Sequence, residues 1–234
     1  MNINANIALF GDSIGKGVVH KKHEFLVTPN NAVKQFEEKY GVKVDNRSRF
    51  GQTIVKAVKR KVFTDFVEKM DASVRHVAVI ELGGNDCDFF WENVAKKPDG
   101  EHDAITPLKE FVEYYEKAIT YLIKNKVTVV CCNLTPIDSE RYFNNVIGKF
   151  CDKNKVLDYF KGDFNVIFRN HEAYSKAITD ICGNYLIPVL DIRTPFLNVG
   201  DFTTLLCEDG IHPNEAGQQV LFDTVEKFIA GYLA

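Results

Sequence analysis

Five short apolar runs, each stopped by a glycine or a polar turn and separated from the next by a stretch of helical periodicity, constrain this chain more than any other feature. The runs cover residues 7–10, 42–46, 77–82, 127–134 and 187–192. Val77-Ala78-Val79-Ile80-Glu81-Leu82 is apolar nearly throughout, as a strand covered on both faces must be. Between the runs, Ala32, Val33, Phe36 and Tyr40 recur at helical spacing up to Gly41, which suits a C-cap. Further helical patterns span about residues 54–70, 106–125, 166–185 and 214–234. Strands alternating with helices predict a parallel sheet with right-handed crossovers, hence an α/β fold built as a three-layer α/β/α sandwich.

The chain's 234 residues are enough for one such domain with a large core and too few for two, so residues 1–234 are read as a single domain. A flavodoxin-like five-stranded sheet with strand order 2-1-3-4-5 is assigned by analogy with that class, since pattern alone does not set the order. One region breaks the rhythm. Residues 137–163 are mixed, aromatic and charged, with a helical signal around residues 142–150, and read as an insertion near the sheet edge, a candidate lid.

Hydrophobic residues at 45% and charged residues at 26% exclude a disordered or fibrous chain. A formal charge of -3 supplies no basic field for nucleic acid, and the cluster Lys56, Lys59, Arg60 and Lys61 lies in a helical pattern, where it reads as a solvated face. No stretch approaches the length of a membrane span. Residues 1–6 carry no lysine or arginine and the apolar run behind them is too short for a signal peptide, so a cytoplasmic protein is expected. Six cysteines, at positions 87, 131, 132, 151, 182 and 207, form no Cys-x-x-Cys pair and read as free thiols, with Cys131 and Cys132 pointing to opposite faces of the sheet.

Four turns fall at or just beyond strand ends on one edge, the edge where open α/β sheets bind ligands. They are Gly11-Asp12-Ser13-Ile14, the turn containing Gly51, Gly83-Gly84-Asn85-Asp86, and Asp209-Gly210-Ile211-His212-Pro213. Hydrolysis by a serine needs a hydroxyl, a base to take its proton, a carboxylate to orient the base, and donors for the developing oxyanion. Ser13 offers the hydroxyl and His212 the base, and Asp209, three residues earlier on the same turn, can reach the ring nitrogen facing away from the serine. The N–H groups of Ser13 and Gly51 and the side-chain amide of Asn85 offer the donors. Each residue alone has an ordinary explanation as a turn former, and His212 merely precedes a helix that Asn214 would cap. Their joint appearance in this order argues against four coincidences.

On these blocks the chain resembles the SGNH hydrolases, also called the GDSL esterase and lipase family, with Ile14 where the family's name-giving leucine often stands. The resemblance spans residues 7 to about 220. It implies a serine esterase without a cofactor or metal, with Ser13 as nucleophile, Gly51 and Asn85 as oxyanion donors beside the Ser13 N–H, His212 as base and Asp209 as its partner. The implied partner is a small-molecule ester. Short-chain esters, acetylated sugars, thioesters and lysophospholipids all fall within the family's range, and Phe89, Phe90 and Trp91 read equally as pocket lining, sugar platform or packing beneath the insertion.

Rival readings are weaker on motif grounds. Gly11-Asp12-Ser13-Ile14-Gly15 also fits the nucleophile elbow of α/β-hydrolases, but the twelve residues before Ser13 leave no room for that fold's upstream strands. A non-hydrolytic flavodoxin-like module binding flavin or nucleotide over residues 11–17 lacks a phosphate-loop pattern and puts Asp12 where a phosphate would sit. His20-Lys21-Lys22-His23-Glu24 is not a usual zinc arrangement, and neither Cys87 nor Cys207 has a base assigned by any pattern.

Overall fold

In the computed structural model, which describes residues 5–22 and 24–233, the first apolar run becomes strand β1 (Asn6–Gly11). The chain then forms an antiparallel hairpin, β2 (Val18–Lys21) and β3 (Glu24–Val27), ahead of helix α1 (Ala32–Tyr40). Asn31 caps α1 by accepting from the Lys34 N–H, and Gly41 ends it at φ 63°. Strand β4 (Val44–Asn46), helices α2 (Ile54–Lys59) and α3 (Val62–Lys69), and strand β5 (His76–Glu81) follow. Next come α4 (Trp91–Lys96), α5 (Leu108–Lys124) and β6 (Thr128–Cys132).

The sheet order is β4-β1-β5-β6-β7, where β7 is Val189–Leu190, and every pairing is parallel. Counted among the sheet's own strands, this is the order 2-1-3-4-5. Successive strand side chains alternate between two helical layers. Phe10, Ile80 and Cys131 face the core beneath α2, α3, α5 and α9 (Val166–Tyr185), whereas Leu9 and Cys132 face the opposite layer, which includes α1 and α11 (Glu215–Leu233). Neighbouring cysteines therefore do point to opposite faces.

The segment at 137–163 becomes α6 (Ser139–Tyr142), a π-helical turn Phe143–Ile147, α7 (Gly148–Phe150) and α8 (Lys153–Tyr159). It shares a separate apolar cluster with α4, in which Trp91, Val94, Tyr142, Ile147, Val156 and Phe160 are buried. A short α10 (Thr194–Leu197) and a 3₁₀ turn at Phe202–Leu205 precede α11.

The hairpin, the second helical pattern and the fifth strand depart furthest from the sequence expectation. The hairpin has no counterpart in the sequence pattern, because all four residues of β3 are exposed and no burial alternation marks them as a strand. The helix expected over 54–70 is two, broken where Lys61 adopts φ 58°. The fifth strand keeps two of its six expected residues. Residues 1–4 and His23, on which the leader and metal arguments partly rest, lie outside the described residues.

Candidate active site

Strand β1 ends at a glycine against which Glu81 and Ser48 pack closely. A Cβ on Gly11 would lie 2.7 Å from Glu81 Oε2 and 2.7 Å from Ser48 Oγ. Beyond it the chain turns tightly: Lys16 N–H donates to Asp12 O (3.1 Å) and Val18 N–H to Ser13 O (2.9 Å). Glu81, paired with Gly11 across the sheet, holds this turn from behind, its Oε2 accepting from the N–H groups of Asp12 (3.3 Å) and Gly15 (2.9 Å). Burial, and then the charge of Asp12, push the Glu81 carboxyl well above the usual range. Asp12 accepts from Ile14 N–H through Oδ1 (2.8 Å) and from the Asn85 amide through Oδ2 (2.8 Å). Burial raises Asp12 to about 6, opposed by those two bonds and by the charge of His212.

The second and third turns are tied to the first and to each other. Arg49 N–H and Gln52 Nε2 both donate to Gly11 O (3.2 and 2.9 Å), and Gly51 sits between them at φ 66°. Asp86 accepts the Ile54 N–H, at the start of α2, on both carboxylate oxygens (3.1 and 3.0 Å). Burial raises Asp86 to about 7 despite its hydrogen bonds to Thr106 and Ile54. Asn85 Nδ2 carries two hydrogens and gives one to Asp12, so a second remains to donate. The N–H groups of Ser13 and Gly51 meet no acceptor among the described residues.

The fourth turn meets the first across 199 residues of sequence. His212 Nε2 lies 2.9 Å from Ser13 Oγ, and His212 Nδ1 lies 2.6 Å from Asp209 Oδ2. A carboxylate can only accept, so Nδ1 carries the proton and Nε2 is left to accept from the serine hydroxyl. Burial would raise the Asp209 carboxyl, but the bond to His212, its charge and the N–H groups of Ile211 and His212 outweigh it and hold the group below its ordinary value. Gly210, at φ 76°, has no space for a side chain: a Cβ would come 2.6 Å from Asp138 O. Asp138 N–H donates to Gly210 O (2.8 Å), and Arg141 Nη1 donates to Thr203 O (3.0 Å) and Cys207 O (3.3 Å). The 137–163 segment thus braces the loop that carries Asp209 and His212.

Ser13, Asn85 and His212 face a cleft of about 300 Å³. Larger hollows, of about 750 and 380 Å³, are lined by residues of β1, β4 and α1 among others, and by none of these three. Phe89 and Trp91 line the cleft and also pack against Phe160, while Phe90 is exposed. Gly51 does not line it; the adjoining Phe50 does. Burial pushes the Cys87 thiol well up and Cys207 to about 11, so neither supplies a thiolate. Lys56 Nζ donates to Gly51 O and Lys59 lies over the Tyr114 ring, both on the surface of α2. Among the described residues, no helix is long and apolar enough to cross a membrane, and no three metal-ligating side chains gather.

The sequence matches the profile of the GDSL-like lipase/acylhydrolase family over residues 9–220. The chain belongs to that family. It is accordingly a carboxylic ester hydrolase, and the motif-based resemblance to SGNH hydrolases holds. The fold is that of solved family structures. A lipase/acylhydrolase from Enterococcus faecalis is 21% identical, with TM-score 0.65 over 97% of this chain and 96% of that one. The esterase EstA from Pseudoalteromonas sp. is 17% identical, with TM-score 0.62 over 99% of both chains. An acetyl xylan esterase from Geobacillus stearothermophilus is 15% identical, with TM-score 0.67 over 98% of this chain and 96% of that one. No curated protein matches the sequence.

Within this GDSL-like hydrolase, the motifs missed several residues around the site. Phe25, on the hairpin, and Phe50 lie 5.5 and 6.2 Å from the His212 ring, centroid to centroid. In the sequence Glu81 is marked only as a strand residue, and Arg141 only as one of the charges within residues 137–163. The one usable signal was Glu81 itself, a carboxylate inside an otherwise apolar strand, which needs buried donors to be tolerated.

Proposed function

We propose that this family member is a serine esterase acting through an acyl-enzyme on short-chain acyl or acetyl esters. Ser13 Oγ attacks the ester carbonyl as His212 takes its proton, and Asp209 keeps the imidazole oriented and stabilises its charge. The oxyanion is held by the N–H groups of Ser13 and Gly51 and the second hydrogen of Asn85 Nδ2. His212 then returns the proton to the leaving alcohol, and water, activated by the same base, releases the acid.

The observation that carries this reading is the unbroken pair of short contacts, Asp209 to His212 at 2.6 Å and His212 to Ser13 at 2.9 Å. A cleft of about 300 Å³ suits a small acyl group. Within a single hydrolase domain, residues 137–163 serve as a wall of that cleft and as a brace for the acid–base loop. All six cysteines are free thiols, which suits a reducing compartment such as the cytoplasm. The test is hydrolysis of p-nitrophenyl esters from acetate to palmitate by wild type and Ser13→Ala. Turnover should peak at the short chains and drop by about 10⁴-fold or more in the variant. Wild-type rates in Ser13→Ala would overturn the mechanism.

A further inference from the structure

The proposed chemistry gives the cleft a direction. The acid that protonates the leaving oxygen must stand beside the alcohol half of the ester. Beside His212 stand Phe25 and Phe50, which are 49% and 55% exposed, so the alcohol lies toward solvent. The acyl group therefore runs into the buried end, toward Trp91, Tyr142 and Ile167.

That end is not wholly apolar. Asn170 and His171, consecutive on α9, both line it. Asn170 uses its Nδ2 on Cys87 O (2.5 Å), leaving its Oδ1 as an acceptor. His171 is 5% exposed and its Nδ1 has no partner among the described residues. Burial, then the charge of Arg193, lower its pKa to about 3, so the ring is neutral and presents one donor and one acceptor. Nδ1 is enclosed, whereas Nε2, likewise without a partner among the described residues, keeps access to the cleft, where a bound hydroxyl can pair it. The other polar groups of this wall are already committed: Tyr142 Oη donates to Asp88 (2.7 Å) and accepts from Trp91 Nε1 (3.2 Å).

We propose that Asn170 and His171 form a polar subsite at the acyl end of the cleft, and that the preferred substrates are esters of short hydroxy acids whose acyl hydroxyl hydrogen-bonds there. The proposal rests on the serine-esterase reading. A hydroxyl can donate to Asn170 Oδ1 and exchange a second bond with the imidazole, using both groups at once. Arg193, the cation whose charge His171 feels, is not free for a carboxylate substituent, because it is paired with Glu172 and donates to Leu134 O (3.3 Å).

The test compares p-nitrophenyl butyrate with the p-nitrophenyl esters of 2- and 3-hydroxybutyrate, using wild type and His171→Leu. Wild type should favour one hydroxylated ester by at least about tenfold in kcat/KM, and the ratio should collapse toward one in the variant. A folding defect lowers both rates together and leaves the ratio alone. If His171→Leu fails to fold, Asn170→Ala is read in the same way. A wild-type ratio below tenfold for both hydroxy esters, or a preference that survives in the variants, overturns the subsite. Failure of wild type to hydrolyse any of the three esters would instead strike the serine-esterase reading, and the subsite with it.

Discussion

The two walls of the cleft are built by different means. On the sheet side, each turn is held atom by atom: Glu81 behind Asp12 and Gly15, Asp12 against Asn85, Gln52 on Gly11 O, Asp86 on Ile54 N–H. On the other side, α4, the 137–163 segment and α9 meet mainly through rings and aliphatic chains, such as Phe89 on Trp91 at 5.1 Å and Trp91 on Phe160 at 5.9 Å. A hydrogen-bond network specifies both the element and its position, whereas packing specifies volume and tolerates exchange among apolar residues. The sheet wall is therefore where chemistry is constrained, and the helical wall is where the choice of substrate is free to vary.

The sharpest way to break this contrast is at Asn85. Asn85→Ala removes a donor from the braced wall and leaves the cleft's shape almost intact. It should lower kcat by about 10²–10³ while KM moves only a few fold. A loss carried by KM instead would put Asn85 in ground-state binding and weaken the division between the walls.

The bracing itself has a pH signature. Asp86 releases its proton near 3.8 in the unfolded chain and near 7 in the folded one, because burial disfavours its charge. Between those values the folded state keeps a proton that the unfolded state has lost. The contribution of this group to stability is thus complete below the lower value and is lost as pH rises through the upper one. Asp86→Asn keeps an oxygen for Ile54 N–H and cannot ionise. In urea unfolding from pH 4 to 8, the variant should gain on wild type by on the order of 3–4 kcal/mol. A difference independent of pH would mean that Asp86 is not held protonated, and that the network is less closed to water than its burial indicates.

The same contrast explains what could be read from the sequence. Gly51 and Gly210 stand at positive φ, and Gly11 and Gly210 have backbone or side-chain atoms where a Cβ would go, so the turns at those positions carried residue-specific signals. Asp209 and His212 share one turn, and their relation needs no knowledge of the fold. Glu81 acquires its role from a parallel register that sets it opposite Gly11, 70 positions earlier, which no local pattern encodes. Strands joined by helices made a parallel sheet legible, but the order of its strands came from analogy with flavodoxin-like folds, since no pattern in the chain sets which strands are neighbours. The hairpin was not legible, because β3 turns no face to the core. His171 lay in a well-defined helical pattern, but periodicity says which face is buried and not what that face meets.

Phe25 tests whether the hairpin belongs to the braced wall or to the adaptable one. Its ring stands 5.2 Å from Phe50 and 5.5 Å from His212, close enough to contact the alcohol half of an ester, yet it makes no hydrogen bond that fixes His212. The imidazole is already held by Asp209 and Ser13. Phe25→Ala should therefore lower kcat/KM for p-nitrophenyl butyrate by about 2- to 5-fold, mostly through KM, in line with one aromatic contact. With methyl butyrate, whose alcohol is too small to reach the ring, the effect should vanish. A loss of kcat that is equal for both esters would mean that the hairpin positions His212 itself, and the braced wall would then extend across the mouth of the cleft.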